Sequence, residues 1–292
     1  MSHQPADAPR LPMSRAGWTR LMDRLSIRPR KSLGQNFLFD RRVVERIVQA
    51  AEIAPGDRVV EVGPGLGILT EALLQAGAEV YAIELDSRLA AHLRETFGDD
   101  PRLHLVEGNV LAIDPAEVVP PDRPYAVAAN LPYSVASAVL MHFLESSRPP
   151  RRLTVMVQRE VAERIVARPP AMTILGVAAQ FFTVPRIAFR VPPSVFVPPP
   201  KVESAVVVLD VKEELPLPPE DRARFFRVVN AGFRHKRKQL VNSLADELGA
   251  AKDEIAAWLA EAGIAPTRRA ETLTVEEWVA LVRAAPDWVA AR

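Results

Sequence analysis

The stretch VVEVGPGLGILTEALL, residues 59–74, decides the fold. It opens as a short apolar strand holding one acid, Glu61. Gly63, Gly65 and Gly67 then lead straight into ILTEALL, which has helical spacing. Glycines at a strand-to-helix turn let the backbone approach a ligand closely, and the helix start offers N–H groups without intrahelical partners. A plain tight turn would use the same residues, so the motif needs support from its neighbours.

That support lies in EVYAIEL, residues 79–85, a second strand ending in Glu84. A carboxylate at the end of the strand after a glycine loop, about 20 residues on, can accept both hydroxyls of a ribose. The dehydrogenase fingerprint GxGxxG would need its third glycine where Ile68 stands; here the glycine falls one place early, at Gly67. That spacing, and the neighbouring Glu61, favour an adenosine ligand that is cationic and lacks a pyrophosphate: S-adenosyl-L-methionine. A nicotinamide-dependent dehydrogenase is the disfavoured alternative.

The alternation continues outward. Helical RRVVERIVQAA precedes the loop. After it come SRLAAHLRETF (helix), RLHLVEG and YAVAAN (strands), SVASAVLMHFLES (helix) and RLTVMVQ (strand), with strands near 187–191 and 203–211 to finish. Strands alternating with helices imply a parallel sheet covered on both faces. Residues 1–30 read as a poorly ordered N-terminal extension with one short helix near 15–25. The Pro-rich, charged KEELPLPPED (212–221) reads as a joint, followed only by helical patterns at 220–231, 236–248, 252–262 and 274–284. The expected organisation is an α/β, Rossmann-like methyltransferase sheet over 31–211 and a smaller all-α domain over 212–292.

Composition narrows the chemistry. The 292 residues include no cysteine, which excludes disulfides, thiolate-bound zinc, iron–sulfur clusters and a cysteine nucleophile. Five scattered histidines give a metal site no support. No apolar run reaches membrane-spanning length and the N-terminus lacks a secretory pattern, so a cytoplasmic, membrane-free protein is expected. Net charge is only +1, but residues 222–238 hold seven Lys or Arg and no acid. Such a run is either a solvated helix face or a phosphate-attracting patch.

The segment VAANLPYSV, residues 127–135, ends a buried strand in Asn130, Leu131, Pro132 and Tyr133. Open α/β sheets bind ligands at this carboxyl edge. The Asn130 amide oxygen and the Leu131 carbonyl, exposed by the bend at Pro132, can accept both hydrogens of an exocyclic amine, and Tyr133 can stack on a base. Adenine N6 is a poor nucleophile because its lone pair is delocalised. Two acceptors favour a pyramidal nitrogen, and acceptor dipoles and an aromatic face stabilise the positive charge that grows during attack. No general base is needed before the transfer. A bare N-x-P-Y is also an ordinary strand-ending turn.

With these motifs in place, the chain resembles the rRNA adenine N6,N6-dimethyltransferases that act on small-subunit rRNA. KSLGQNFLFD (31–40), EVGPGLGILT, AIELD, NLPY, VPPSVFVPPPKVESAVV (191–207), RKQLVNSL and PTRRAETLTVEEWVAL carry the resemblance, over about 31–285. It implies that Asn36, Leu38, Gly63, Gly65, Glu84, Asn109 and Asn130 surround S-adenosyl-L-methionine. It also implies that Asn130, Leu131, Pro132 and Tyr133 form the catalytic motif, with Phe196 on the far face of the target adenine. The family's usual GDxL is GNVL here, so Asn109 replaces an aspartate. The implied activity is methylation, twice per base, of two adjacent adenines in a 30S assembly intermediate by a monomer without metal. Arg234, Lys236, Arg237 and Lys238 are the expected rRNA-docking residues. The competing readings are a macrolide-resistance-type enzyme acting on large-subunit rRNA, and a non-catalytic ribosome-assembly or transcription factor; the intact NLPY argues against the second.

Overall fold

A computed structural model describes residues 10–28, 36–286 and 289. The chain divides into two units, one drawn from Met1–Ala162 and Arg186–Val211, the other from Glu163–Pro185 and Lys212–Arg292.

In the first unit the order is α1 (Arg15–Arg24), β1 (Phe37–Leu38), α2 (Arg41–Ala51), β2 (Arg58–Val62), α3 (Ile68–Gln75), β3 (Glu79–Glu84), α4 (Ser87–Phe97) and β4 (Leu103–Glu107). Next come α5 (Pro115–Val118), β5 (Tyr125–Asn130), α6 (Ala136–Leu144), β6 (Arg152–Gln158) and α7 (Arg159–Ile165), whose end passes into the second unit. After α8 (Ile174–Phe182), the strands β7 (Thr183–Val191), β8 (Phe196–Val197) and β9 (Ser204–Val211) complete the sheets. The main sheet runs β4-β3-β2-β5-β6-β9-β7, and β1 pairs with β8 in a separate ribbon.

The order reverses between β2 and β5, which pair in parallel. Such a switch point leaves a crevice at the carboxyl ends of the strands. Strands β4 to β6 are parallel, as the alternating pattern predicts, but β9 runs antiparallel to β6. The expectation of a wholly parallel sheet is corrected there. No helix intervenes between β8 and β9, so nothing carries the chain back for a parallel crossover.

Residues 10–28 are not a loose arm. Ser14 caps α1 by accepting from Gly17 N–H, and Trp18, Leu21 and Met22 form its buried stripe. The buried Glu71 carboxylate of α3 accepts from the N–H groups of Arg10 (2.6 Å) and Leu11 (3.1 Å), and pairs with Arg41 at 2.6 Å. The acidic partner lies 60 residues away in sequence, which is why local composition reads the segment as unstructured.

The second unit holds α8, α9 (Pro219–Phe233), α10 (Leu240–Leu248), α11 (Lys252–Glu261) and α12 (Val275–Arg283). The rings of Phe181 in α8 and Phe225 in α9 lie 4.5 Å apart. The Lys212 ammonium donates to the Gln180 carbonyl at the end of α8. Gly232 lets α9 sit against Trp278, since a Cβ there would come within 2.4 Å of the indole. The boundary expected at 211/212 therefore misses residues 163–185, which belong with the helices. Their apolar α8 face packs on α9, and sequence order gives no hint of that.

Trp18→Ala tests the docked N-terminal helix. The side chain is 1% exposed, so its removal should cost about 3–5 kcal/mol of unfolding free energy. An unchanged urea midpoint would mean that α1 adds nothing to the fold.

Candidate active site

Four strand ends meet at the crevice: Gly63 after β2, Glu84 at the end of β3, Asn109 beyond β4, and Asn130 at the end of β5. They line one cavity of about 300 Å³, together with Asn36, Leu38, Gly65, Leu131, Pro132 and Tyr133. Every sheet-unit residue expected at the site reaches it except Phe196.

The glycine loop is shaped by backbone demands. Gly63, Gly65 and Gly67 all have positive φ, and a Cβ on Gly67 would strike Phe97 and Leu93 at 2.7 and 2.9 Å. Gly67 thus seats α3 on α4, whereas Gly63 has open space above its α-carbon. Glu84 braces the loop: one carboxylate oxygen accepts from Gly65 N–H at 3.0 Å, the other from Asp86 N–H at 2.9 Å. A carboxylate has about four acceptor sites, so beyond these backbone donors capacity remains for a ribose hydroxyl. Burial holds the Glu84 pKa above the ordinary carboxylate range despite those hydrogen bonds.

Glu61 lies deeper, 1% exposed, accepting from the Thr70 hydroxyl at 2.6 Å. Desolvation, reinforced by the negative charge of Glu84, pushes its pKa up to about 8. Asp86 is the third acid on the lining, and no Lys, Arg or His stands among the described lining residues. Among the described residues Glu61 and Glu84 meet no cation, Asp86 pairs with Arg88 at 2.8 Å, and a lining without cationic side chains disfavours phosphate. A pyrophosphate dinucleotide fits this lining poorly; a sulfonium attached to a ribose fits it well.

At the end of β5, the Asn130 side-chain N–H donates to the Asn36 carbonyl at 3.4 Å. That contact turns the amide so that its oxygen is available as an acceptor. Leu131 N–H is bonded to the Met156 carbonyl at 3.1 Å, while Val135 N–H closes a turn on the Pro132 carbonyl. Among the described residues no donor reaches the Leu131 carbonyl or the Asn130 amide oxygen. Tyr133 is half-buried and its hydroxyl meets Ser204 Oγ at 2.6 Å.

Asn109 is exposed, and its amide oxygen accepts from Leu111 N–H at 3.1 Å, capping a short 3-10 turn. Phe196 is displaced from its expected place. It is 1% exposed within the apolar core, its backbone paired with Leu38 in the β1–β8 ribbon. Large and wholly apolar, it is worth more to the core than to a solvent-facing stack. The expected motif at 31–40 is described only from Asn36 onward, and residues 31–35 lie outside the described part.

In the second unit, Arg234, Lys236, Arg237 and Lys238 occupy the link between α9 and α10, not a helix face; α10 starts at Leu240, later than the 236 expected. Arg234 pairs with Glu247 at 3.8 Å and Lys238 with Asp246 at 2.6 Å. Lys236 and Arg237 are exposed and carry no ion pair among the described residues.

A family model described as ribosomal RNA adenine dimethylase matches residues 27–286. The chain belongs to this family. The ribosomal RNA small subunit methyltransferase A of Dehalococcoides mccartyi is 42% identical over 258 residues, covering 88% of this chain and 89% of the relative. Among solved structures, the 23S rRNA methyltransferase ErmE is 28% identical with a TM-score of 0.67, covering 85% of this chain and 99% of that one. A dimethyladenosine transferase from Plasmodium falciparum, 24% identical with a TM-score of 0.70 over 84% of this chain and 95% of that one, shares the fold. As a dimethylase of this family the chain is an S-adenosylmethionine-dependent rRNA adenine methyltransferase.

Two lining residues of this dimethylase escaped the sequence reading. Leu85 and Leu111 are exposed large apolar side chains on the cavity wall. Leu85 directly follows the end of β3, and Leu111 lies in the short turn at 110–112 beyond β4; apolar residues in such loops at the carboxyl edge are the signal available in the sequence.

Glu61 gives the dimethylase a pH signature. Its folded pKa, about 8, exceeds the ordinary 4.5. Between those values the folded protein keeps a proton that the unfolded chain has lost, so stability falls as pH rises through that window, by at most roughly 1.4 kcal/mol per pH unit. Glu61→Gln, which cannot ionise, should flatten the decline in urea unfolding between about pH 5 and pH 8. An equal slope in both proteins would show that Glu61 titrates normally.

Proposed function

We propose that the chain transfers methyl groups from S-adenosyl-L-methionine to the N6 amines of adenines in small-subunit rRNA, two per base and on two adjacent adenines, during ribosome biogenesis. The observation that carries this reading is that Asn130 and Leu131, whose amide oxygen and carbonyl can act as acceptors, line the same cavity as Glu61 and Glu84, with no cationic side chain among its described lining residues. The substrate is a 30S assembly intermediate in the cytoplasm, met by a monomer. Among the described residues no helix is long and apolar enough to cross a membrane.

S-adenosyl-L-methionine, when bound, supplies a methyl group made electrophilic by the sulfonium. Glu84 would hold its ribose, and the loop at Gly63 and Gly65 lets backbone approach it. Asn36, Leu38 and Asn109 line the remainder of the cavity, and a positive ligand near Glu61 would favour its ionised form. Asn130 and Leu131 accept the two N6 hydrogens and favour the pyramidal nitrogen, and Pro132 fixes the bend that presents the Leu131 carbonyl. Tyr133 offers its ring to the base. As the new C–N bond forms and the methyl–sulfur bond breaks, leaving a neutral thioether, the nitrogen turns positive, and the acceptors and ring stabilise that charge until a proton is lost to solvent.

The large-subunit alternative has a relative too, the 23S rRNA enzyme at 28% identity. The small-subunit relative at 42% over nearly the whole chain favours the reading adopted here. Nucleoside mass spectrometry after incubation with 30S particles and with 50S particles tests it; dimethyladenosine should appear in the 30S reaction, and its appearance only in the 50S reaction would overturn the assignment. In the same assay Asn130→Ala should lower kcat by about 100-fold or more, as loss of a transition-state acceptor does, while rRNA affinity changes less than about threefold. Equal losses in binding and turnover would make Asn130 a docking residue.

The cations between α9 and α10 are the proposed rRNA-docking group. The exposed pairs at Arg234 and Lys238 are weak and easily exchanged for phosphates. Docking offsets the few kcal/mol needed to turn the adenine out of its stack. Replacing Arg234, Lys236, Arg237 and Lys238 with Gln should weaken 30S binding about tenfold or more at moderate salt and flatten its salt dependence. S-adenosyl-L-methionine affinity should stay unchanged. Normal 30S affinity in this variant would move the docking surface elsewhere.

A further inference from the structure

We propose that Ser204 is a positioning residue for the methyl transfer: its Oγ anchors the Tyr133 hydroxyl and so fixes the ring that receives the target adenine. The proposal rests on the adenine-binding reading of the cavity given above.

Ser204 is fully buried at the start of β9, opposite Gln158 of β6. The five residues after it, Ala205 to Leu209, are all apolar and buried. A hydroxyl in such a strand is a liability unless it finds a partner. Thr154 on the adjacent strand shows the cost unmet, since its buried hydroxyl has no hydrogen-bond partner. The Ser204 hydroxyl meets Tyr133 at 2.6 Å, a short bond across 71 positions of sequence.

That bond constrains more than a hydroxyl. A tyrosine ring turns about two side-chain torsions, and the loop after β5 fixes only the start of the side chain. Pinning the phenol oxygen at the far end fixes the first torsion, and with it where the ring lies; the second turns the ring about an axis through that oxygen and is biased only by the in-plane preference of the phenol O–H. The anchor lies on the antiparallel strand β9, outside the parallel array that carries the other site residues. The bond also directs the Tyr133 hydroxyl into the protein interior. The ring face is thus what remains for the base, and the phenol is spent on Ser204 instead of proton transfer. Burial raises the Tyr133 pKa, so the phenol stays protonated and able to keep this bond at neutral pH.

A ring that swings freely about its first torsion still stacks in the ground state. It loses alignment with the nitrogen at the moment positive charge develops, and small misplacements of this kind cost up to about 100-fold in rate. Ser204→Ala should therefore lower kcat by about 10- to 100-fold, with the KM for 30S particles within about threefold and S-adenosyl-L-methionine affinity unchanged. Tyr133→Phe, which retains the ring but loses the anchor, should match it. The double variant Ser204→Ala/Tyr133→Phe should be no slower than the slower single, because both changes break one bond. The pH dependence of kcat should keep its shape in all three.

Tyr133→Ala separates the proposal from the reading beneath it. If Tyr133→Ala is inactive while Ser204→Ala turns over normally, the anchoring role fails and the adenine site stands. If Tyr133→Ala itself retains normal turnover, both fall. Multiplying losses in the double variant, or a raised KM with unchanged kcat, would also overturn the proposal. Tyr133→Phe removes no ring atom and supplies the comparison if Ser204→Ala fails to fold.

Discussion

The site depends on the parallel register of β2 with its two neighbours. Arg58 at the start of β2 lies opposite Glu79 of β3 on one side and Tyr125 of β5 on the other. The pairing then proceeds residue by residue, and Glu84 is level with Glu107 of β4. Four strands therefore end at one height, about 4.8 Å apart. Gly63, Glu84, Asn109 and Asn130 become neighbours although 67 positions separate the first from the last. A slip of one residue in β5 would move every side chain to the opposite face of the sheet and carry Asn130 off the edge. The near-complete burial of Ala126 to Ala129 makes such a slip costly.

The two edges of that sheet treat charge in opposite ways. At the amino edge each acid meets an arginine: Arg58 pairs with Glu79 and Asp122, Arg152 with Glu52 and Asp210. At the carboxyl edge Glu61 and Glu84 are buried with hydrogen bonds but no cation, and their pKa values rise accordingly. Structural needs alone would favour neutralising them. With its pKa raised, Glu61 is largely neutral near pH 7, and a sulfonium close to it would favour its ionised form. The buried acids thus favour a cation over a phosphate.

What was legible in the sequence follows from local physics. The strand–glycine–helix turn, Glu84 at its strand end and NLPY after β5 are each set by backbone geometry within a few residues. What stayed hidden depends on contacts between distant segments. Helix α1 reads as a loose arm until Glu71 is seen to hold Arg10 and Leu11. Helix α8 reads as part of the sheet domain until its phenylalanines are found against α9. Phe196 reads as a stacking ring until the pairing of β8 with β1 turns it into core. The bond from Tyr133 to Ser204 falls in the same class, since neither residue announces the other.

Asn109 shows how a departure from the family pattern is absorbed. Its amide oxygen caps the turn at 110–112 by accepting from Leu111 N–H, as Asp114 does for Ala116 at the next helix. Asparagine and aspartate cap equally well, so the backbone does not choose between them. The difference lies in charge. Toward an amine of a bound ligand, a carboxylate at 109 would accept a stronger, charge-assisted bond than an amide does. It would also add a fourth acid to a cavity lined by Glu61, Glu84 and Asp86. Because residue 109 is exposed, water screens both effects, and each shrinks toward the small values of surface charges. At Glu61 or Glu84 the same exchange of acid for amide would act in a dry environment, where a charge is felt in full. The rim of the cavity is where this chain can lose a charge and keep the geometry.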